Sequence, residues 1–306
     1  MPNESRQSHQ ALETVEGEKR HLVRREFLHG VAATALLGSL GAPNTRASVS
    51  GEPGRIKKAV KYHMIKEDLP VLDKFRLLAD LGFDGTEIHV TTTIDRDEAR
   101  RASEVTGVAI HGFLNSSKPD LAYAIETAAF YGATSVLVVA GRVDQEHPYD
   151  RVYREQQDRI RAALPQAERE GIKLLVENVW NNFLLSPLEM ARFLDEFDSP
   201  SVGAYFDVGN VVRFGWPDQW IRILGDRVVK LDIKEYSRRK QVSEGLRKGF
   251  NVEIGEGDCD WSAVRRALVD IGYTSGWATA EVPGGDRRRL ADIAARMDRV
   301  LGLVKR

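Results

Sequence analysis

Residues 171–180 read GIKLLVENVW, an apolar run over 172–176 that stops at a carboxylate, Glu177, followed by Asn178. A run this short, bounded by Gly171 and by polar residues, reads as a parallel strand buried on both faces. Three later runs stop in the same way: SVGAYFD at Asp207, RVVKLD at Asp232 and GWATAE at Glu281. In a barrel of parallel strands the C-terminal ends all open onto one face, so four strand-end carboxylates would converge on one small volume. Like charges crowded there repel strongly unless a cation sits among them. A divalent-metal site is the economical reading.

Outward from this stretch, short apolar runs alternate with longer amphipathic ones. Strands are expected over 56–63, 85–90, 108–113 and 133–140, then at the four acid-terminated runs. Helices are expected over 69–81, 95–105, 120–131, 149–170, 187–197, 217–224, 261–271 and 287–303. Pro165 is expected to kink or split the fourth of these. Eight alternations imply a parallel sheet, because parallel neighbours need helical crossovers. An open doubly wound sheet is the rival, but no glycine-rich turn follows the first strand. The acids also recur at four strand ends and not at one switch point. The expected fold is therefore a (β/α)8 TIM barrel.

The chain has 306 residues, with 44 basic side chains against 45 acidic and a net charge of -1. Near neutrality gives no reason to expect nucleic acid as a partner. The single cysteine, Cys259, excludes a disulfide framework and a thiolate metal cluster. The first 47 residues are of another kind. Arg24 and Arg25 precede an uncharged run of small and apolar residues over 30–43, and Thr45, Arg46 and Ala47 form a small-x-small site. This pattern reads as a twin-arginine export signal, too short to remain as a membrane span, and places the mature protein in the periplasm or otherwise outside. Cleavage near Ala47 assigns residues 48–306 to a single barrel domain, close to the roughly 250 residues usual for this fold.

Side chains of a strand alternate faces, so Gly203, Tyr205 and Asp207 share the interior, as do Trp277, Thr279 and Glu281. The same period sends Lys230, Asp232 and Lys234 inward and turns Val229, Leu231 and Ile233 towards the helices. His63, His89 (with Glu87) and His111 fall at the expected ends of strands one to three, where they are candidates for substrate hydroxyls or acid chemistry. Trp180, Phe183 and Trp216 lie in loops on that face, where rings pack against sugars. The basic insertion 237–253, with Arg238, Arg239, Lys240, Arg247 and Lys248, is expected either to fold over the pocket or to remain solvated.

Glu177-Asn178, Asp207-Val208-Gly209-Asn210, Leu231-Asp232-Ile233-Lys234-Glu235, Gly255-Glu256-Gly257-Asp258 with Asp260-Trp261, and Glu281 together resemble the xylose isomerase-like sugar phosphate isomerase/epimerase family. The resemblance runs from about Ile56 onward. It implies one divalent cation, Mn2+ or Mg2+ foremost, held by Glu177, Asp207, Asp232 and Glu281. It also implies that Glu177 and Glu281 act as catalytic acid and base on a ketose, exchanging the proton beside the carbonyl. Lys234 and Arg238 fall where the family places substrate-contacting cations. The chain departs from the family twice: Asp232 stands where histidine is usual, and Asn210, in the substrate pocket, replaces another common histidine. An all-oxygen ligand set favours hard cations over Zn2+. The leading expectation is a sugar isomerase or epimerase. A keto-inositol or keto-sugar dehydratase on the same scaffold and a non-catalytic sugar-binding barrel are the alternatives. A DNA-repair endonuclease barrel needs several zinc ions and a histidine-rich face, for which this chain has too few histidines.

Overall fold

The acid-terminated run beginning at Lys173 starts directly behind a helix stop: Gly171, at φ 67°, takes the left-handed conformation that ends the preceding helix. Repeated around the chain, this grammar closes eight parallel strands in sequence order in the computed structural model, which describes residues 54–116, 118 and 120–303. The strands are β1 (Ile56–Lys61), β2 (Gly85–His89), β3 (Ala109–Ser116), β4 (Ser135–Val138), β5 (Lys173–Glu177), β6 (Val202–Asp207), β7 (Val228–Ile233) and β8 (Gly276–Ala280). The ring shuts where β1 pairs with β8, Ile56 opposite Gly276 through Val60 opposite Ala280. The expected (β/α)8 barrel is the observed fold. The export segment 1–47 lies outside the described residues. No helix among the described residues is long and apolar enough to cross a membrane.

The crossovers are α1 (Val71–Asp80), α2 (Arg96–Thr106), α3 (Leu121–Phe130), α4 (Tyr149–Glu170), α5 (Pro187–Asp195), α6 (Val208–Val212), α7 (Pro217–Leu224), α8 (Arg238–Glu244), α9 (Trp261–Asp270) and α10 (Arg287–Leu301). Side-chain caps start many of them; Asp95, Asp120, Ser186, Asp260 and Asp286 each accept a backbone N–H three residues on. The helix around Pro165 is not split: α4 is continuous over 22 residues. Pro165 and Arg161 are both exposed, so the carbonyl left without its N–H partner faces water. The short α6 was not anticipated. It forms because Asp207, at the end of β6, caps it by accepting the Asn210 N–H at 2.8 Å.

The main core lies between strands and helices, with Val60, Ile88, Val136, Leu174, Phe206 and Leu231 fully buried. A smaller apolar layer of Leu114, Leu137, Leu175 and Tyr205 fills the barrel interior. Three register shifts break strict alternation, one of them between β3 and β4, where the pairing steps from Leu114–Leu137 to Ser116–Val138. Between β2 and β3 the pairing steps from Thr86–Ile110 to Glu87–Gly112, so His111 is an extra residue. Between β6 and β7 it steps from Ala204–Val228 to Tyr205–Lys230, so Val229 is extra. Val229 therefore packs on the interior layer beside Leu175 and not towards the helices, a correction to the period-two expectation.

Candidate active site

Glu177 and Asp207 end β5 and β6, Asp232 lies one residue before the end of β7, and Glu281 follows β8 by one residue. One carboxylate oxygen from each lies within 4.8 Å of all the others. The cluster is buried except at Glu281, which is partly exposed. Asn178 fixes the spacing of the first two strands: its Nδ2 donates to the Asp207 carbonyl and its Oδ1 accepts the Asp207 N–H, both at 2.8 Å.

Two ammonium groups enter this cluster. Lys61, at the end of β1, places Nζ 2.8 Å from Asp232 Oδ2 and 2.8 Å from Glu281 Oε2. Lys234 Nζ lies 2.9 Å from Asp207 Oδ2 and 3.1 Å from Glu281 Oε1. Asp207 Oδ2 thus has the Lys234 ammonium as its neighbour, whereas the buried Asp232 Oδ1 has no hydrogen-bond donor. Burial pushes Glu177 up to about 8 and raises Asp207 and Asp232 as well. Glu281 goes the other way: partial desolvation opposes its charge, but Lys61 and Lys234 outweigh it and hold Glu281 well below the usual carboxylate range. Burial opposes the charge of Lys61, yet Asp232 and Glu281 hold its ammonium well above the usual lysine range. Sequence reasoning missed Lys61. Alternation with Val60 gives only its inward direction, and nothing in β1 names Asp232 and Glu281 as its partners.

The donor set suits a hard divalent cation: all oxygen, converging, and with the buried Asp232 Oδ1 lacking any hydrogen-bond partner. An acidic cluster alone would say less, since buried carboxylates are costly unless something compensates them.

The other candidates divide. Asn210 is buried behind the cluster, its Nδ2 donating to the Asn178 carbonyl at 3.0 Å and its Oδ1 3.5 Å from Lys234 Nζ. Trp180 donates its indole N–H to the Asn210 carbonyl at 2.8 Å and packs on Tyr236 and Phe250. A cavity of about 340 Å³ opens beside Asn178, Trp180 and Asn210. His63 stands exposed in the turn after β1. His89 is occupied by its neighbours, with Nδ1 2.7 Å from Thr91 Oγ1 and Nε2 3.4 Å from Ser116 Oγ.

His111 is not at a strand end. β3 runs on to Ser116, and the bulge buries His111 inside the barrel, stacked on Trp277 at 3.9 Å. Lys230 Nζ donates to its Nδ1 at 2.9 Å and to its carbonyl at 2.6 Å, and burial together with Lys230 lowers the imidazole well below its usual range. It is a neutral member of a polar interior layer that also holds Glu87, Tyr205 and Thr279. The Tyr205 hydroxyl lies 2.9 Å from both Glu87 Oε2 and Thr279 Oγ1. Gly112 makes that layer possible, since a Cβ there would come within 2.5 Å of Glu87 Oε1.

Arg238 is likewise committed elsewhere. Its guanidinium donates to the carbonyls of Val212 and Gly215 at 2.8 and 2.9 Å, tying α8 to the loop after α6. Of the insertion, Arg239, Arg247 and Lys248 are exposed, and it is Phe250 that reaches the site, against Trp180, with Lys234 Nζ 5.5 Å above its ring. Glu235 anchors this whole connection, accepting from the Gly255 N–H at 2.9 Å and the Trp261 indole N–H at 2.7 Å.

Residues 75–300 match the family model of the xylose isomerase-like TIM barrel. The chain belongs to that family. Among solved structures, this xylose isomerase-like barrel is similar to a D-allulose 3-epimerase from Methylomonas sp., at 16% identity and TM-score 0.63, covering 81% of this chain and 99% of that one. It is similar to a 3-keto-D-glucoside 4-epimerase from E. coli at 16% identity and TM-score 0.65, covering 80% and 99%. A probable 3-DHS dehydratase from Bacillus anthracis is similar at 15% identity and TM-score 0.65, covering 78% and 98%. At such identities the likeness establishes the fold alone. No curated protein matches the chain by sequence.

Proposed function

We propose that this xylose isomerase-like barrel is a divalent-cation-dependent isomerase or epimerase that moves the proton beside the carbonyl of a ketose or related sugar. The observation that carries the reading is the convergence of Glu177, Asp207, Asp232 and Glu281 at the ends of four successive strands, with Asp232 Oδ1 buried and lacking a donor. These four residues would hold the ion, Mn2+ or Mg2+ by their chemistry. A bound cation supplies Lewis-acid polarisation of a carbonyl or hydroxyl oxygen, which acidifies the adjacent C–H.

The two glutamates flank the aspartates along the barrel rim, and their environments push them apart as an acid and base require. Before a cation binds, burial pushes Glu177 up to about 8, whereas Lys61 and Lys234 hold Glu281 well below the usual carboxylate range. One removes the proton and the other returns it; return to the opposite face inverts the centre. Lys234 and His63 would meet sugar hydroxyls, and Trp180, whose indole N–H is donated to the Asn210 carbonyl, would offer its ring face. Asn210 offers no titrating group there, so the proton traffic belongs to the glutamates. Phe183, one of the loop rings considered for sugar packing, is buried against Phe193 and supports the loop from below.

The test is proton exchange. In D2O with saturating Mn2+, a panel of ketoses that includes D-allulose is expected to lose the C–H signal next to the carbonyl by NMR. A metal-loaded protein that exchanges none of them sinks the reading. Loss of water in the product, read by mass, would select the dehydratase alternative, the reaction class of the similar Bacillus anthracis protein.

The N-terminal segment supports an export reading. With the protein outside the cytoplasm, unphosphorylated sugars are the expected substrates. Changing Arg24 and Arg25 to lysine should then leave the protein in the cytoplasmic fraction; unchanged fractionation would remove the export assignment.

A further inference from the structure

Lys61 and Lys234 leave a charge balance in the cluster that the metal reading does not itself account for. Both oxygens of Glu281 face an ammonium, one from each lysine. Asp232 is fully buried and divided: Oδ2 is held by Lys61, and Oδ1 has no partner. With all four carboxylates ionised, as ligation of a cation requires, the two ammoniums leave two negative charges, the charge of one divalent ion. A buried cluster must close its charge, because any surplus is paid at low dielectric.

We propose that Lys61 sets the charge of the cation this cluster accepts, by holding Asp232 Oδ2 so that Asp232 offers Oδ1 as a donor with no net charge of its own. Lys61 is thus a positioning residue and not a catalytic one. The inference rests on the metal reading above and deepens it: the site is matched to a divalent ion and set against a trivalent one. Lys61 is suited to this because its Nζ is buried and stays within 2.8 Å of two carboxylates, a fixed charge and not a solvated one.

The test compares two probes in the purified chain: Mn2+, by calorimetry, and Tb3+, by luminescence sensitised through tryptophan. The readout is the ratio of the two affinities within each variant, which cancels general losses of packing. Lys61→Met is expected to shift the ratio towards Tb3+ at least about tenfold, since one fixed positive charge has left the cluster. Lys61→Arg should keep the wild-type ratio. Lys61→Met combined with Asp232→Asn removes the pair as a neutral unit and should return the ratio to within about threefold of wild type. Should Lys61→Met alone fail to fold, Asp232→Asn alone against the double variant carries the same comparison, with the single change shifting the ratio towards Mn2+. A ratio that does not move in either single variant, or that stays shifted in the double variant, overturns the role of Lys61 while leaving the metal site standing. A wild-type protein that binds neither ion overturns both.

Discussion

Glu177→Gln is expected to lower solvent exchange of the ketose proton by about 10³-fold at saturating Mn2+, the usual range for loss of a positioned acid or base. The substitution keeps the shape of the side chain and removes only its charge and its proton. Glu177 ends β5 in a rigid frame, with Leu175 two residues below in the interior layer and Asn178 clamping the β6 end beside it. The folded structure should therefore survive, with an unchanged near-ultraviolet circular dichroism spectrum. Mn2+ binding should weaken, since one of four carboxylates is lost, and measuring at saturation separates this from the chemical step. Exchange within tenfold of wild type under those conditions would remove Glu177 from the acid–base pair.

Gly284→Ala is expected to cost about 3 kcal/mol of stability, at the upper end for an inserted methyl in a packed site. A Cβ at Gly284 would lie 2.0 Å from the Met64 carbonyl oxygen and 2.5 Å from its Cα. Those are backbone atoms, and no rotamer change relieves the overlap. They are also pinned: the Gly285 N–H donates to the Met64 carbonyl at 3.0 Å, and the Lys66 N–H to the Gly285 carbonyl at 3.0 Å. This short ladder continues the β1–β8 closure beyond the strands and brings Lys61 against Glu281. The loss should appear as a lower urea midpoint, together with weaker Mn2+ binding as the Lys61–Glu281 contact loosens. A change in unfolding free energy below about 0.5 kcal/mol would show that the loop adapts.

The parts of the site that were readable in the sequence are those with local causes. Strands buried on both faces must be apolar, so a carboxylate ending such a run stands out, and Glu177, Asp207, Asp232 and Glu281 were found in that way. The parts that were not readable depend on a neighbour. The bulge at His111 exists only relative to β2; without it His111 reads as a strand-end substrate ligand, whereas it is buried under the site beside Trp277. Arg238 looks like a free cation until the carbonyls of Val212 and Gly215 come within reach of its guanidinium.

Period and composition by themselves determined a ring of eight parallel strands and the four acids on its rim, because hydrophobic burial imposes a repeat that any reader of the chain can count. Only the tertiary structure decided that Lys61 stands among those acids. Its partners Asp232 and Glu281 lie 171 and 220 residues further along the chain, and no pattern within one strand records an ion pair that exists only when β1 closes against β8.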